Sequence, residues 1–362
     1  MLKSLKLYLN KLLQSRMIRL CMVFGLVTFL SGFALKSSNT LVENWYYRVF
    51  YSGFRDFWDL AFSWVPFPLI YVWLVFLIFS IGFVTWHRSH RITKTLKWSV
   101  FLISVITFHV IWFYWSWAFN YHRISLAGRW RLQNPITELD FVNTLNLHTC
   151  LVEELRTDYT EEITAWNMDP LKMENNIRNL VNNFQKLHLF PQFNKLRCRI
   201  LKPSGSLLIW ATSGVYMPFV SESQVDNGLH KLSKPFTMAH EFAHGMGWTH
   251  EGDCNFIAYL ACIQSSDPFI RYSAEINYWR YLLSNARKNH PELFKEIRNG
   301  MDSLVLKDLI EIDTANDRYP EILPNLRNWF YDWYLKKHGI QSGEKSYSEL
   351  ISMLINYQKS IN

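Results

Sequence analysis

His240 and His244 flank Glu241 in the pattern His240-Glu241-Phe242-Ala243-His244, which holds the residue types of a zinc site. Residues four apart on a helix share a face, so both imidazoles can reach one zinc ion. Glu241, next to the first histidine, then stands where its carboxylate takes a proton from a water without occupying a coordination position. A charged glutamate between two histidines is a poor filling for a plain apolar helix face, so the pattern points to chemistry rather than packing. Gly245 and Gly247 follow directly and suit a helix that ends in a left-handed turn before the chain doubles back.

Hydrolytic zinc needs a third protein ligand and an open position, and two candidates follow the turn: His250 and Glu251. Taken to His250, the string reads H-E-x-x-H-x-x-G-x-x-H, the metzincin ligand pattern. That reading also requires a methionine turn, and Met301 lies in a charged Asn-Gly-Met-Asp setting that looks like an ordinary loop. Glu251-Gly-Asp-Cys-Asn255 instead has the E-x-x-x-(D/N) form of the glutamate zincins, in which the glutamate binds zinc and a polar residue one turn later supports it. Glu251 is the expected ligand, with Asn255 and Asp253 as its polar supports. It opens a helix from Glu251 to Ile263 whose Phe256, Ala258, Tyr259, Leu260 and Ala261 would pack on the motif helix.

The elements that must carry this site differ along the chain. Residues 17–35, 65–86 and 98–119 are apolar and aromatic stretches of 19, 22 and 22 residues, long enough to cross a hydrocarbon core of about 30 Å. Tryptophans near their ends (Trp64, Trp86, Trp98, Trp117) suit an interfacial belt. The first stretch follows a basic segment like a signal peptide, but Gly32 to Lys36 offers no clean small-residue cleavage site, so it is read as retained. Residues 1–135 hold 15 Lys/Arg against Glu43, Asp56 and Asp59, a net of +12, whereas the remainder carries −4. The overall +8 is therefore concentrated beside the membrane and is no nucleic-acid signature. The basic N-terminus and the basic loop from His87 to Lys97 are expected in the cytoplasm. Three spans then put the loop 36–60 and everything after Tyr121 outside. His109, inside the third stretch, is expected to face its neighbours rather than relay protons.

From residue 121 onward about 240 residues suffice for one domain. Helices are expected over 136–160, from the Asp169-Pro170 start to about Leu187, over 326–337 and over 347–358. Between Cys198 and Val225 the pattern turns to short β-rich runs at 197–201, 206–210 and 214–220. The stretch from Gly214 to Asp226 is expected to include an edge strand for an extended peptide, which Pro218 suits. The fold class is thus a membrane α-helical N-terminal region with three transmembrane helices (1–120), then a mostly α, α+β zincin-like domain with a small sheet (121–362). Among five cysteines, Cys150 and Cys198 are the pair that an extracytoplasmic domain would allow, and no C-x-x-C zinc spacing exists.

The chain resembles the DUF3810 family of bacterial (Bacteroidetes-type) membrane proteins. The resemblance rests on His240, Glu241, Ala243, His244, Gly247, Glu251, Asp253, Asn255 and Phe256. It extends to Lys202-Pro203, the Gly-x-Tyr-x-Pro-Phe segment from Gly214 to Phe219, Arg271-Tyr272-Ser273 and the stretch from Tyr334 to Tyr347. In that family the position of His250 is commonly a basic residue unable to bind zinc, which favours Glu251. The Gly252-Asp253-Cys254 string departs from the family pattern of two acids and alanine. The resemblance implies a glutamate-zincin metallopeptidase of unspecified substrate.

Together these readings predict a zinc-dependent metallopeptidase in the inner membrane with its catalytic domain in the periplasm. Its ligands are His240, His244 and Glu251, and Glu241 is the general base. Tyr272, or Arg271 beside it, is the expected oxyanion helper, unless either merely packs or pairs with Glu275. Partners are a peptide or protein substrate and the lipid bilayer. A non-hydrolytic zinc-binding receptor is the rival, though structural zinc needs no Glu241. A transporter component is disfavoured because three spans with hardly a central charge are too few for an inverted-repeat carrier.

Overall fold

A computed structural model of the chain describes residues 12, 15–86, 91–158, 169–325 and 343–361. Contacts divide the chain into two units: Met1–Arg123 with Met217–Ser221, and Ile124–Tyr216 with Glu222–Asn362.

The first unit is helical: α1 (Arg16–Lys36), a π-helical stretch (Leu41–Tyr51), α2 (Ser52–Phe62), α3 (Leu69–Trp86) and α4 (Arg91–Ser116). Among the described residues two helices are long and apolar enough to cross a membrane, Arg16–Lys36 and Thr95–Ser116, rather than the three expected. The stretch expected at 65–86 is helical only from Leu69, because Pro66 and Pro68 bar helix before it, and Leu69–Gly82 is a shorter apolar helix among the described residues. At the other two helices the side chains of Phe24, Phe29, Phe33, Ile106 and Phe108 are exposed, as a hydrocarbon surrounding requires.

Two expected loops are helical instead. Residues 41–62 form consecutive helical turns whose tyrosines Tyr46, Tyr47 and Tyr51 are buried, so aromatic packing replaces a solvated loop. The basic stretch expected as a loop over 87–97 lies outside the described residues at 87–90 and is the first part of α4 from Arg91 onward. His109 has both ring nitrogens engaged: Nδ1 donates to the Val105 carbonyl (2.7 Å) and Nε2 accepts Trp73 Nε1–H (3.2 Å). Fixed this way, the imidazole faces its neighbours, as expected.

The second unit is mostly helical around a small sheet. Its helices are α5 (Glu138–Asp158), α6 (Pro170–Leu187), α7 (Lys234–Gly245), α8 (Glu251–Ile263), α9 (Pro268–Asn289), α10 (Pro291–Gly300), α11 (Ser303–Asp317) and α12 (Gly343–Ile361). The Asp169 carboxylate accepts the Leu171 N–H (3.1 Å) ahead of Pro170, which is the expected start of α6. The helix expected over 326–337 lies outside the described residues. Cys150 and Cys198 do not pair; Cys150 is exposed on α5, and Cys198 is buried in the sheet.

The sheet has three strands, β1 (Cys198–Leu201), β2 (Gly214–Met217) and β3 (Glu222–Asp226), in the order β1-β3-β2. β1 and β3 are parallel, with Cys198 opposite Ser223 and Leu201 opposite Asp226. β2 is an edge strand, as expected. The central strand is the surprise, because Glu222-Ser-Gln-Val-Asp226 is polar yet fully buried. Three of its polar side chains find partners inside the protein: Glu222 pairs with Arg199, Ser223 Oγ donates to the Glu241 carbonyl (2.7 Å), and Asp226 accepts backbone amides. Those amides belong to Gly205, Leu207, Leu208 and Gly228. Their capture by Asp226 also explains why the run expected as a strand at 206–210 is a one-turn 3₁₀ helix at Leu208–Trp210.

Candidate metal centre

α7 opens with Pro235 in its first turn and carries His240, Glu241 and His244. It stops because Gly247 takes a left-handed conformation (φ 85°), and the Trp248 amide reaches back to the Ala243 carbonyl (3.1 Å). Three residues later α8 begins at Glu251, so the turn brings its first carboxylate back over the histidines. Gly245 serves a different end: a Cβ there would sit 2.9 Å from Leu196 and 3.2 Å from Ser223 Oγ, so its absence lets the helix lie close on the sheet.

His240, His244 and Glu251 each offer a ligand atom, and these lie within 4.8 Å of one another. The two Nε2 atoms are 3.1 Å apart, and the Glu251 oxygens lie 3.2 Å from His240 Nε2 and 3.6 Å from His244 Nε2. The opposite ring nitrogens are held in place. His240 Nδ1 meets Asn255 Oδ1 (2.8 Å), and His244 Nδ1 meets the Trp248 carbonyl (2.9 Å). Both partners accept, so each Nδ1 donates to its partner and each Nε2 faces the common centre. Cys254 Sγ also lies 3.3 Å from His244 Nδ1. His240 keeps 14% and Glu251 31% of the side chain exposed, so the centre is open to a ligand from outside.

Glu241 is buried beside this cluster. Its carboxylate accepts the backbone N–H of Tyr216 on β2, whereas Oε2 is buried with no hydrogen-bond partner among the described residues. Burial pushes its carboxyl above the ordinary value, against the lowering effect of His240 and His244. Glu251 goes the other way: burial is outweighed by His244 and His240, which hold it well below the usual carboxylate range. His244 is raised well above its usual value, burial being outweighed by Cys254 and Glu251. Gly214, also on β2, makes room for Glu241, because a Cβ there would sit 2.8 Å from its Cγ and Oε1.

A divalent metal suits these residues. Two imidazole nitrogens and one ionised carboxylate converge on one point, their far sides are bonded, and an unpartnered carboxylate oxygen lies next to them.

Other expected residues are placed elsewhere. His250 is the residue before α8, in extended conformation, and does not belong to the convergent group. Asp253 is two residues beyond Glu251, which turns it to another side of α8. Its carboxylate accepts the amides of Leu126 (2.9 Å) and Ala127 (3.4 Å), so it caps a one-turn helix instead of supporting a ligand. Tyr272 is corrected too. It is fully buried, and its hydroxyl donates to Asp308 (2.8 Å), a carboxylate that Arg156 also binds (2.6 Å). Arg271 donates to the Ser265 carbonyl and meets Asp158, and Glu275 bonds His148 and Tyr259 instead of either residue. The sequence reading missed the backbone of Gly214 and Tyr216; its signal was the glycine placed two residues before a tyrosine at the sheet edge.

A family described as "Protein of unknown function (DUF3810)" matches residues 46–355. No curated protein and no solved structure matches the chain.

Proposed function

We propose that this chain, which belongs to the DUF3810 family, is a membrane-anchored zinc metallopeptidase of the glutamate-zincin kind. The observation that carries the reading is the buried, unpartnered Oε2 of Glu241 beside the three convergent ligand atoms of His240, His244 and Glu251. A purely structural metal site would have no use for a fourth, uncommitted carboxylate at its edge.

In this reading a bound zinc ion supplies Lewis acidity toward a water and a carbonyl oxygen. His240 and His244 bind through Nε2, with Asn255 and the Trp248 carbonyl fixing their rings. Glu251, kept ionised by the two imidazoles, completes the set. Glu241 receives a proton from water at Oε2 and returns it to the leaving amine. Its raised proton affinity suits that exchange, and the Tyr216 amide holds the carboxylate still. The edge position of β2 gives an extended peptide main-chain donors and acceptors next to Glu241.

We further propose that α3 crosses the bilayer together with α1 and α4, with the N-terminus in the cytoplasm and the second unit in the periplasm. The basic N-terminal residues and Arg88, Arg91, Lys94 and Lys97 support that orientation.

The test is metal content and hydrolysis in one preparation. Purified full-length protein should carry about one zinc per chain and cleave fluorescein-labelled casein until a chelator is added. The His240→Ala protein should lose both properties. A metal-free wild type, or zinc-loaded protein that leaves a broad peptide library intact, refutes the reading.

A further inference from the structure

The connection between β2 and β3 belongs to the helical unit, together with Met217 at the end of β2, although the rest of β2 and all of β3 belong to the other. Its carbonyls are held by side chains of that unit. Pro218 O accepts Trp112 Nε1–H (3.1 Å) and Ser116 Oγ–H (3.3 Å), and Val220 O accepts Trp58 Nε1–H (2.9 Å). Ser221 O accepts an Arg55 guanidinium N–H. Phe219 stacks on Trp73 with ring centroids 5.4 Å apart and planes within 5°, and Val220 packs with Val65 and Leu69.

Arg55 is the informative member. It is 0% exposed, and Asp59, one turn along α2, neutralises it. A buried ion pair is an expensive way to fill a helix interface. Here it delivers a charge-assisted donor to the last carbonyl before β3, at Ser221, whose backbone is left-handed (φ 47°). Four side chains from two helices thus fix the four-residue connection Pro218–Ser221. The strand entering it carries Gly214 and Tyr216, the two residues whose backbone accommodates and binds Glu241.

We infer that Arg55, with Trp58, Trp112 and Ser116, is a positioning residue for Glu241: the helical unit fixes the β2–β3 connection and so sets where β2 presents the Tyr216 amide. The term positioning residue rests on the proposed role of Glu241; the mechanical link from Arg55 to Tyr216 does not.

Hydrogen–deuterium exchange of the full-length protein in detergent separates the two. Arg55→Ala removes the charged donor, and Trp58→Phe removes one N–H while keeping an aromatic ring. The Tyr216 amide should exchange at least about tenfold faster in Arg55→Ala. It should exchange faster by a smaller factor in Trp58→Phe, and Arg55→Lys should restore much of the protection. Amides of α9 and bound zinc should stay at wild-type levels in all three. An unchanged Tyr216 amide in both donor-removal variants overturns the inference. So does acceleration spread equally over α9, which is general loosening. If wild-type protein holds no zinc and cleaves nothing, the peptidase reading falls, while Tyr216 exchange still reports on the link.

Discussion

Glu241 and Glu251 belong to one cluster, and the environment drives them apart. Burial raises the first and the two imidazoles lower the second, so one carboxylate is suited to exchange a proton and the other to stay ionised. Glu241→Gln is nearly isosteric and should retain zinc while lowering kcat by about 10²–10⁴; paired metal analysis and casein assay check this. Glu251→Ala should strip zinc from the protein, whereas His250→Ala should leave the metal in place, because His250 stands outside the convergent group. Zinc titrations of the two variants decide between them, and the reverse result would restore the metzincin ligand set. Asn255→Ala removes the acceptor from His240 Nδ1 and should weaken zinc binding about 10–100-fold. Asp253→Ala should not, since that carboxylate serves Leu126 and Ala127.

At the scale of elements, the site depends on a helix turn and on a strand edge. The turn is local: Gly247 ends α7 and lets α8 begin with Glu251 over the histidines. The strand edge is not local, because Gly214 and Tyr216 reach Glu241 only when β2 pairs with β3. Gly214→Val should therefore displace the Glu241 carboxylate, against which even a Cβ would come to 2.8 Å. The expected result is zinc-loaded protein with little hydrolysis, read by metal content beside activity. Asp226 is the other keystone, accepting four backbone amides in a buried setting. Asp226→Ala should destabilise the second unit by about 3 kcal/mol, seen as a lower midpoint of thermal unfolding.

At the scale of the whole chain, charge and span number decide which side of the membrane the site faces. Among the described residues two helices meet the length and apolarity needed to cross, and α3 starts only at Leu69 because two prolines bar helix before it. If α3 crosses as proposed, a C-terminal alkaline phosphatase fusion should be active and a C-terminal green fluorescent protein fusion dark. The opposite pair of results would put the site on the cytoplasmic side and remove periplasmic peptides as substrates.

What the sequence determined by itself was short-range. The i, i+4 histidines, Asn255 one turn after Glu251 and the glycine that ends α7 are legible because helix periodicity fixes their geometry within a few residues. The helix starts at Asp169-Pro170 and at Glu251 were legible for the same reason. Tertiary structure alone decided the rest. Glu222-Ser-Gln-Val-Asp226 has no strand signature, because the partners that let Glu222, Ser223 and Asp226 be buried are Arg199, Glu241 and a distant loop. The same distant pairing turned 206–210 away from strand. Tyr272 and Asp253 look like site residues by proximity in the chain, yet Asp308 and the 126–127 amides claim them. The contribution of Gly214 and Tyr216 is made by backbone and by the absence of a side chain. No residue type announces it, and only the folded sheet brings it to Glu241.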